Sequence, residues 1–92
     1  MTGVQIDLIE EKVEQFRKEH KGLVERRKKL IDEVDSLEEH DRKRRPIRED
    51  SEELWEKIFK EVEREGIEVD ERMRYVIFSL IRKQKDEILK ER

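Results

Sequence analysis

From Ile6 to Leu37 the chain carries ten positions spaced 3, 4, 3, 4 without a slip: Ile6, Ile9, Val13, Phe16, His20, Leu23, Arg27, Leu30, Val34 and Leu37. Such a row is one face of an α-helix, sustained over more than four heptads. Leu8, Val24 and Ile31 lie beside it and widen the stripe, which predicts contact with more than one neighbour. A helix from about residue 5 to about residue 42 would be roughly 55 Å long at 1.5 Å per residue, beyond the width of a small globule. The expectation is that a second copy covers the seam, in a homodimer.

Two further helices follow from punctuation and period. Pro46, in the segment "DRKRRPIRED", is expected to end the first helix, since proline cannot donate to the helical ladder and biases the residue before it toward extended geometry. Asp50 with Glu53 three residues on resembles a capping box, and Leu54, Trp55, Ile58, Phe59 and Val62 supply a buried face behind it. Gly66 suits a left-handed helix end. Asp70 is the expected cap of a last helix whose face is Met73, Val76, Ile77, Leu80, Ile81, Gln84 and Ile88. No strand-like alternation or internal repeat appears. The reading is an all-α single domain over residues 1–92, with a long, a short and a medium helix per chain.

Composition sharpens this. Of 92 residues 53% are charged and 33% hydrophobic, so order depends on the apolar residues being placed in rows, as they are. The 23 basic and 26 acidic side chains leave a net charge of -3, which supplies no broad field to attract nucleic acid. A basic run, Arg42, Lys43, Arg44, Arg45 and Arg48, is flanked by Asp41, Glu49 and Asp50 and has no interleaved aromatics. It reads as a solvated helix C-terminus, and nucleic acid is not an expected partner. Cysteine is absent, which excludes thiol chemistry and disulfides. No apolar run approaches a membrane span, and "MTGVQIDLIEE" lacks the build of a signal peptide, so a cytoplasmic protein is expected. Dense mixed charge without alanine or asparagine also resembles proteins from hot environments and suggests thermostability.

Three polar residues stand in the apolar rows: His20, Arg27 and Gln84. Arg27 is either a charge that sets helix register or an anion site, since a guanidinium can donate two parallel hydrogen bonds to a carboxylate. His20 reads as a packed seam residue; in an antiparallel pairing of long helices it would face Arg27 of the other chain. Gln84 can satisfy a neighbouring helix or contact a ligand. Two histidines without cysteine and without a His-Glu-x-x-His spacing support no metal site, and no glycine-rich phosphate loop or nucleophile elbow is present. No cofactor is expected.

The stretches "IEEKV", "ERRKKLIDEV", "RPIRED" and "LWEKIFKEVEREGIEVDERM" together give a layout that resembles the all-helical chorismate mutase family. In that family three helices from each of two chains interlock as a dimer that rearranges chorismate to prephenate. The resemblance implies an interlocked homodimer and a small dicarboxylate ligand such as chorismate. It places the mid-helix arginine of the family on Arg27, its helix-two Arg-Glu pair on Arg48 and Glu49 or within Ser51 to Glu53, and a polar ligand contact near Gln84. Other family cations are reversed, falling on Glu10 and Glu38, and a late glutamine falls on Ile88.

Two carboxylates facing a dianion oppose binding. The expected function is therefore a chorismate mutase-like dimer, degenerate in catalysis and serving as a binding or assembly module. The alternatives are an active mutase, an intramolecular isomerase using Arg27, Arg48, Glu49 and Gln84 with Lys43 in place of the missing lysine, and a plain coiled-coil adaptor.

Overall fold

The structure, a computed structural model, describes residues 3–91 apart from the side chain of Val4. Four helices and no strand are present among these residues: α1 (Gly3–Gln15), α2 (Arg17–Glu33), α3 (Leu37–Arg64) and α4 (Glu71–Lys90). Only Phe16 separates α1 from α2. Its amide donates to the Val13 carbonyl (3.1 Å) and its carbonyl accepts from the His20 amide (3.0 Å), so the two helices form one kinked rod. At 1.5 Å per residue that rod is roughly 46 Å long, which matches the 47 Å long axis of the molecule.

The rod does not continue to residue 42. Val34, Asp35 and Ser36 leave the helix, and α3 runs back antiparallel along the rod. Ion pairs mark the direction: Arg26–Asp50 (2.6 Å), Lys57–Glu19 (3.5 Å) and Lys12–Glu65 (2.9 Å). α4 then returns alongside the rod, where Arg17 pairs with Glu87 (3.2 Å) and Glu91.

This arrangement corrects the expected long, short and medium helices. The turn comes ten residues earlier than Pro46, and its cause is Ser36, whose hydroxyl accepts from the Glu39 amide at 3.2 Å. Ser36-Leu37-Glu38-Glu39 has the spacing of a capping box, and Glu38 and Glu39 place negative charge in the first turn, where the helix dipole favours it. Asp50 is no cap: it lies inside α3 and pairs with Arg26. Pro46 also lies inside α3, on an exposed position, with Ile47 buried next to it. The basic run is thus in the first half of α3 rather than at a helix C-terminus, so dipole complementation does not explain it. Replacing Ser36 by alanine is expected to lower stability by about 1 kcal/mol while aspartate retains it; equal unfolding midpoints for the two variants would contradict the cap.

The premise that one chain cannot cover its own seam is also overturned. Ile9, Val13, His20, Val24 and Leu30 are buried by α3 and α4 of the same chain. The main core joins Ile9 and Val13 to Leu54, Ile58, Phe59 and Val62 of α3 and to Met73, Ile77 and Ile81 of α4. Burying the row therefore does not require a second copy. Leu37, the last member of the expected row, is 85% exposed, because the break at residues 34–36 puts it on a new helix with a different phase.

The other end markers stand as expected. Gly66 has φ of 81°, in the left-handed region that favours glycine. The Asp70 carboxylate accepts from the Met73 amide at 2.8 Å. No helix is long and apolar enough to cross a membrane among the described residues.

Candidate functional site

Where α4 packs against the α2/α3 pair, the three helices leave a cleft of about 470 Å³. Each contributes by its own period. α2 supplies His20, Leu23, Val24 and Arg27, a single face two turns long. α3 supplies Ser51, Leu54 and Trp55, and α4 supplies Tyr75, Phe78, Ile81, Arg82 and Lys85. Trp55 meets Phe78 edge to face at 5.3 Å, and Phe78 meets Phe59 at 5.6 Å, so one wall is aromatic and braced from behind.

The lining contains three cations, Arg27, Arg82 and Lys85, and no carboxylate. That is unusual in a chain with 26 acidic residues. None of the three takes part in an ion pair among the described residues, whereas Arg17, Arg26, Lys12 and Lys57 all do. Gathering unpaired cations beside apolar walls costs energy that a bound anion would recover, because opposite charges attract more strongly away from bulk water.

His20 stands at the back of this cleft, 8% exposed, in a polar chain that crosses from rod to α4. Its Nδ1 lies 2.7 Å from the Gln84 Oε1 atom. The amide of Gln84 is oriented by its other end, where Nε2 donates to the Val13 carbonyl at 3.2 Å and approaches Glu14 at 3.5 Å. Oε1 is therefore the acceptor, and Nδ1 carries the proton of the neutral ring. Burial pushes the His20 pKa below its ordinary value; the Gln84 hydrogen bond opposes this, and the charges of Arg27, Lys85 and Arg17 add to the lowering.

The sign of the resulting pH effect follows. A histidine held neutral in the fold contributes stability that is complete above its unfolded pKa of about 6.5 and is lost as pH falls through the depressed folded value. Between pH 7.5 and 5.5 the thermal midpoint is expected to fall on acidification, and the slope should flatten when His20 and Gln84 are both replaced by leucine. An unchanged slope in that variant would remove His20 as the cause.

The candidate residues drawn from the sequence are brought together only in part. Arg27 lines the cleft. Gln84 is 4% exposed and its amide is engaged by His20 and Val13, so it supports the cleft from behind rather than lining it. Arg48 lies exposed on α3 beside Glu52 (3.5 Å), and Glu49 borders a shallow groove with Glu52, Glu53 and Glu56. Neither reaches the Arg27 cleft. Lys43 pairs with Glu39 at 2.7 Å, also away from it. His20 and Arg27, expected to meet across two chains, share one cleft within a single chain.

Sequence reasoning missed Arg82, Lys85, Tyr75 and Phe78. A signal for them exists, since Tyr75, Phe78, Arg82 and Lys85 are spaced 3, 4 and 3 and form a second stripe on α4 beside its core face. Among the described residues no group of three or more His, Cys, Asp or Glu side chains is placed to hold a metal ion.

Comparison of the chain with protein-family models, with curated proteins and with solved structures finds no match.

Proposed function

We propose that the chain is a binding module for a small organic anion with an apolar or planar body, related to the chorismate mutase family but degenerate in catalysis. The ligand sits between α2, α3 and α4. Arg27 provides the forked donor, Arg82 and Lys85 add positive charge from the facing helix, and Trp55 and Phe78 offer an apolar wall for the ligand's body. The observation that carries this reading is the convergence of three cations outside any ion pair in a cleft whose lining has no carboxylate. A small dicarboxylate such as chorismate fits that charge pattern. Turnover as a mutase draws less support from the geometry, because Arg48 and Glu49 lie outside the cleft and Gln84 is occupied by its neighbours.

Calorimetric titration with chorismate and with simple aromatic carboxylates tests the proposal. Saturable binding is expected, with no enzyme-dependent loss of chorismate absorbance. Arg27→Leu should weaken binding by about tenfold to a hundredfold, the range for a lost hydrogen bond to a charged group, and leave the fold intact. Trp55 is the sole tryptophan, so its fluorescence should respond to the same titration. An absence of saturable binding by any of these anions would refute the module, and chorismate turnover abolished by Arg27→Ala would establish the active-mutase alternative in its place.

A further inference from the structure

Given the anion-binding module, on which this step rests, we infer that its ligand is an aromatic hydroxy acid: the hydroxyl donates to Nε2 of His20, and the carboxylate, on the far side of the ring, meets Arg27. Arg27, Arg82 and Lys85 account for a negative charge, and the Trp55–Phe78 wall accounts for a flat body. The polar back of the cleft dictates a further group on the ligand.

The buried polar side chains of the lining are His20 and Ser51. Neither has a hydrogen to offer. The Ser51 hydroxyl donates to the Ile47 carbonyl at 2.8 Å, which leaves it lone pairs only. In His20 the proton sits on Nδ1, directed at Gln84 Oε1, so Nε2 carries a lone pair. Burial, reinforced by the charges of Arg27, Lys85 and Arg17 and opposed by the Gln84 hydrogen bond, pushes the ring's pKa below its ordinary value and keeps it neutral at pH 7. Nε2 makes no hydrogen bond among the described residues, where every side-chain nitrogen and oxygen sealed from solvent has one. It is therefore reached from the open space beside His20, and that space is the cleft. An acceptor on a side chain only 8% exposed accepts from whatever fills the cleft. A ligand unable to donate would displace water from Nε2 and leave it bare, so the site discriminates against such a ligand.

Spacing sets where on the ligand the donor lies. His20 and Arg27 stand two turns apart on one face of α2, roughly 10 Å along the helix axis. Groups that meet both must sit at opposite ends of the ligand, as a hydroxyl and a carboxylate do across a benzene ring. The cleft, about 470 Å³, lies within the range of about 300–1,000 Å³ for small-molecule sites.

Calorimetric titration of the full chain with benzoate, para-hydroxybenzoate and para-methoxybenzoate tests this specificity. The hydroxy acid is expected to bind about threefold to tenfold tighter than benzoate, the range for one neutral hydrogen bond. The methoxy acid keeps the oxygen but has no hydrogen to give, and should bind no tighter than benzoate. Replacing His20 and Gln84 together by leucine removes the acceptor along with the partner it would strand. Benzoate should still bind to that variant, and the preference for the hydroxyl should vanish. In isotope-labelled protein without substitutions, the Nε2 resonance of His20 should move upfield with para-hydroxybenzoate and not with benzoate. Benzoate binding without a preference for the hydroxy acid overturns the specificity and leaves the anion module standing, as does a preference that persists in the double variant. Failure of all three anions to bind overturns both.

Discussion

Replacing Pro46 with alanine is expected to stabilise the protein by roughly 1–3 kcal/mol. Pro46 lies within a 28-residue helix, where its ring removes the hydrogen bond that a residue at this position would donate to the Arg42 carbonyl. Its side chain is exposed, so alanine loses no packing there. The gain is reduced by the freedom that alanine returns to the unfolded chain, worth about 0.4–1 kcal/mol. Urea titration at constant slope reads the difference directly. A lower midpoint for the alanine variant would mean that residues 46–49 form a turn, and that α3 is not continuous.

The second large effect concerns the buried pair of His20 and Gln84. Gln84→Leu removes the acceptor from His20 Nδ1 and the donor from the Val13 carbonyl. An unsatisfied buried group costs about 1–3 kcal/mol, so the single substitution is expected to lower stability by about that amount. Replacing His20 by leucine as well should restore part of the loss, because the stranded imidazole is gone. The double-mutant cycle should therefore show a coupling of about 1 kcal/mol or more between two residues far apart in sequence and 2.7 Å apart in space. Additive effects would show that the hydrogen bond contributes nothing beyond packing.

The cleft and its support thus separate into two kinds of residue. His20 and Gln84 are spent on each other, and substitutions there should appear in stability. Arg27, Arg82 and Lys85 have no ion-pair partner among the described residues, and substitutions there should appear in anion affinity. Arg27→Leu is the most informative of these, since removing a half-buried charge from an apolar row is expected to be neutral or slightly stabilising. A register-setting arginine and a ligand-binding arginine therefore predict different losses.

Much of this was legible residue by residue. The all-helical character followed from the period of the apolar positions, and the buried faces of α3 and α4 were read correctly at Leu54, Ile58, Phe59, Val62, Met73, Ile77 and Ile81. Gly66 and Asp70 were legible because their roles depend on one or two neighbouring peptide groups. The α2/α3 turn was not legible from Pro46, because the capping serine at residue 36 decides it. Pro46 carries the stronger local penalty, yet Ile47, Ser51, Leu54 and Ile58 continue one buried face past it. The candidate site was half legible: Arg27 stood out in an apolar row, whereas Arg82 and Lys85 belong to a flank that looks solvated until α2 and α3 are placed against it.

By itself the sequence determined that the chain is helical, which faces of α3 and α4 are apolar and where α4 begins, since these depend on period and on contacts within a few residues. Only the tertiary structure decided that the long seam is covered by its own chain, that Pro46 stays within a helix, and that three cations from two helices share one cleft. The physical reason is that a row of apolar side chains specifies that it must be buried but not by which surface. That choice depends on the direction the chain takes after Glu33, and three non-helical residues are enough to reverse it.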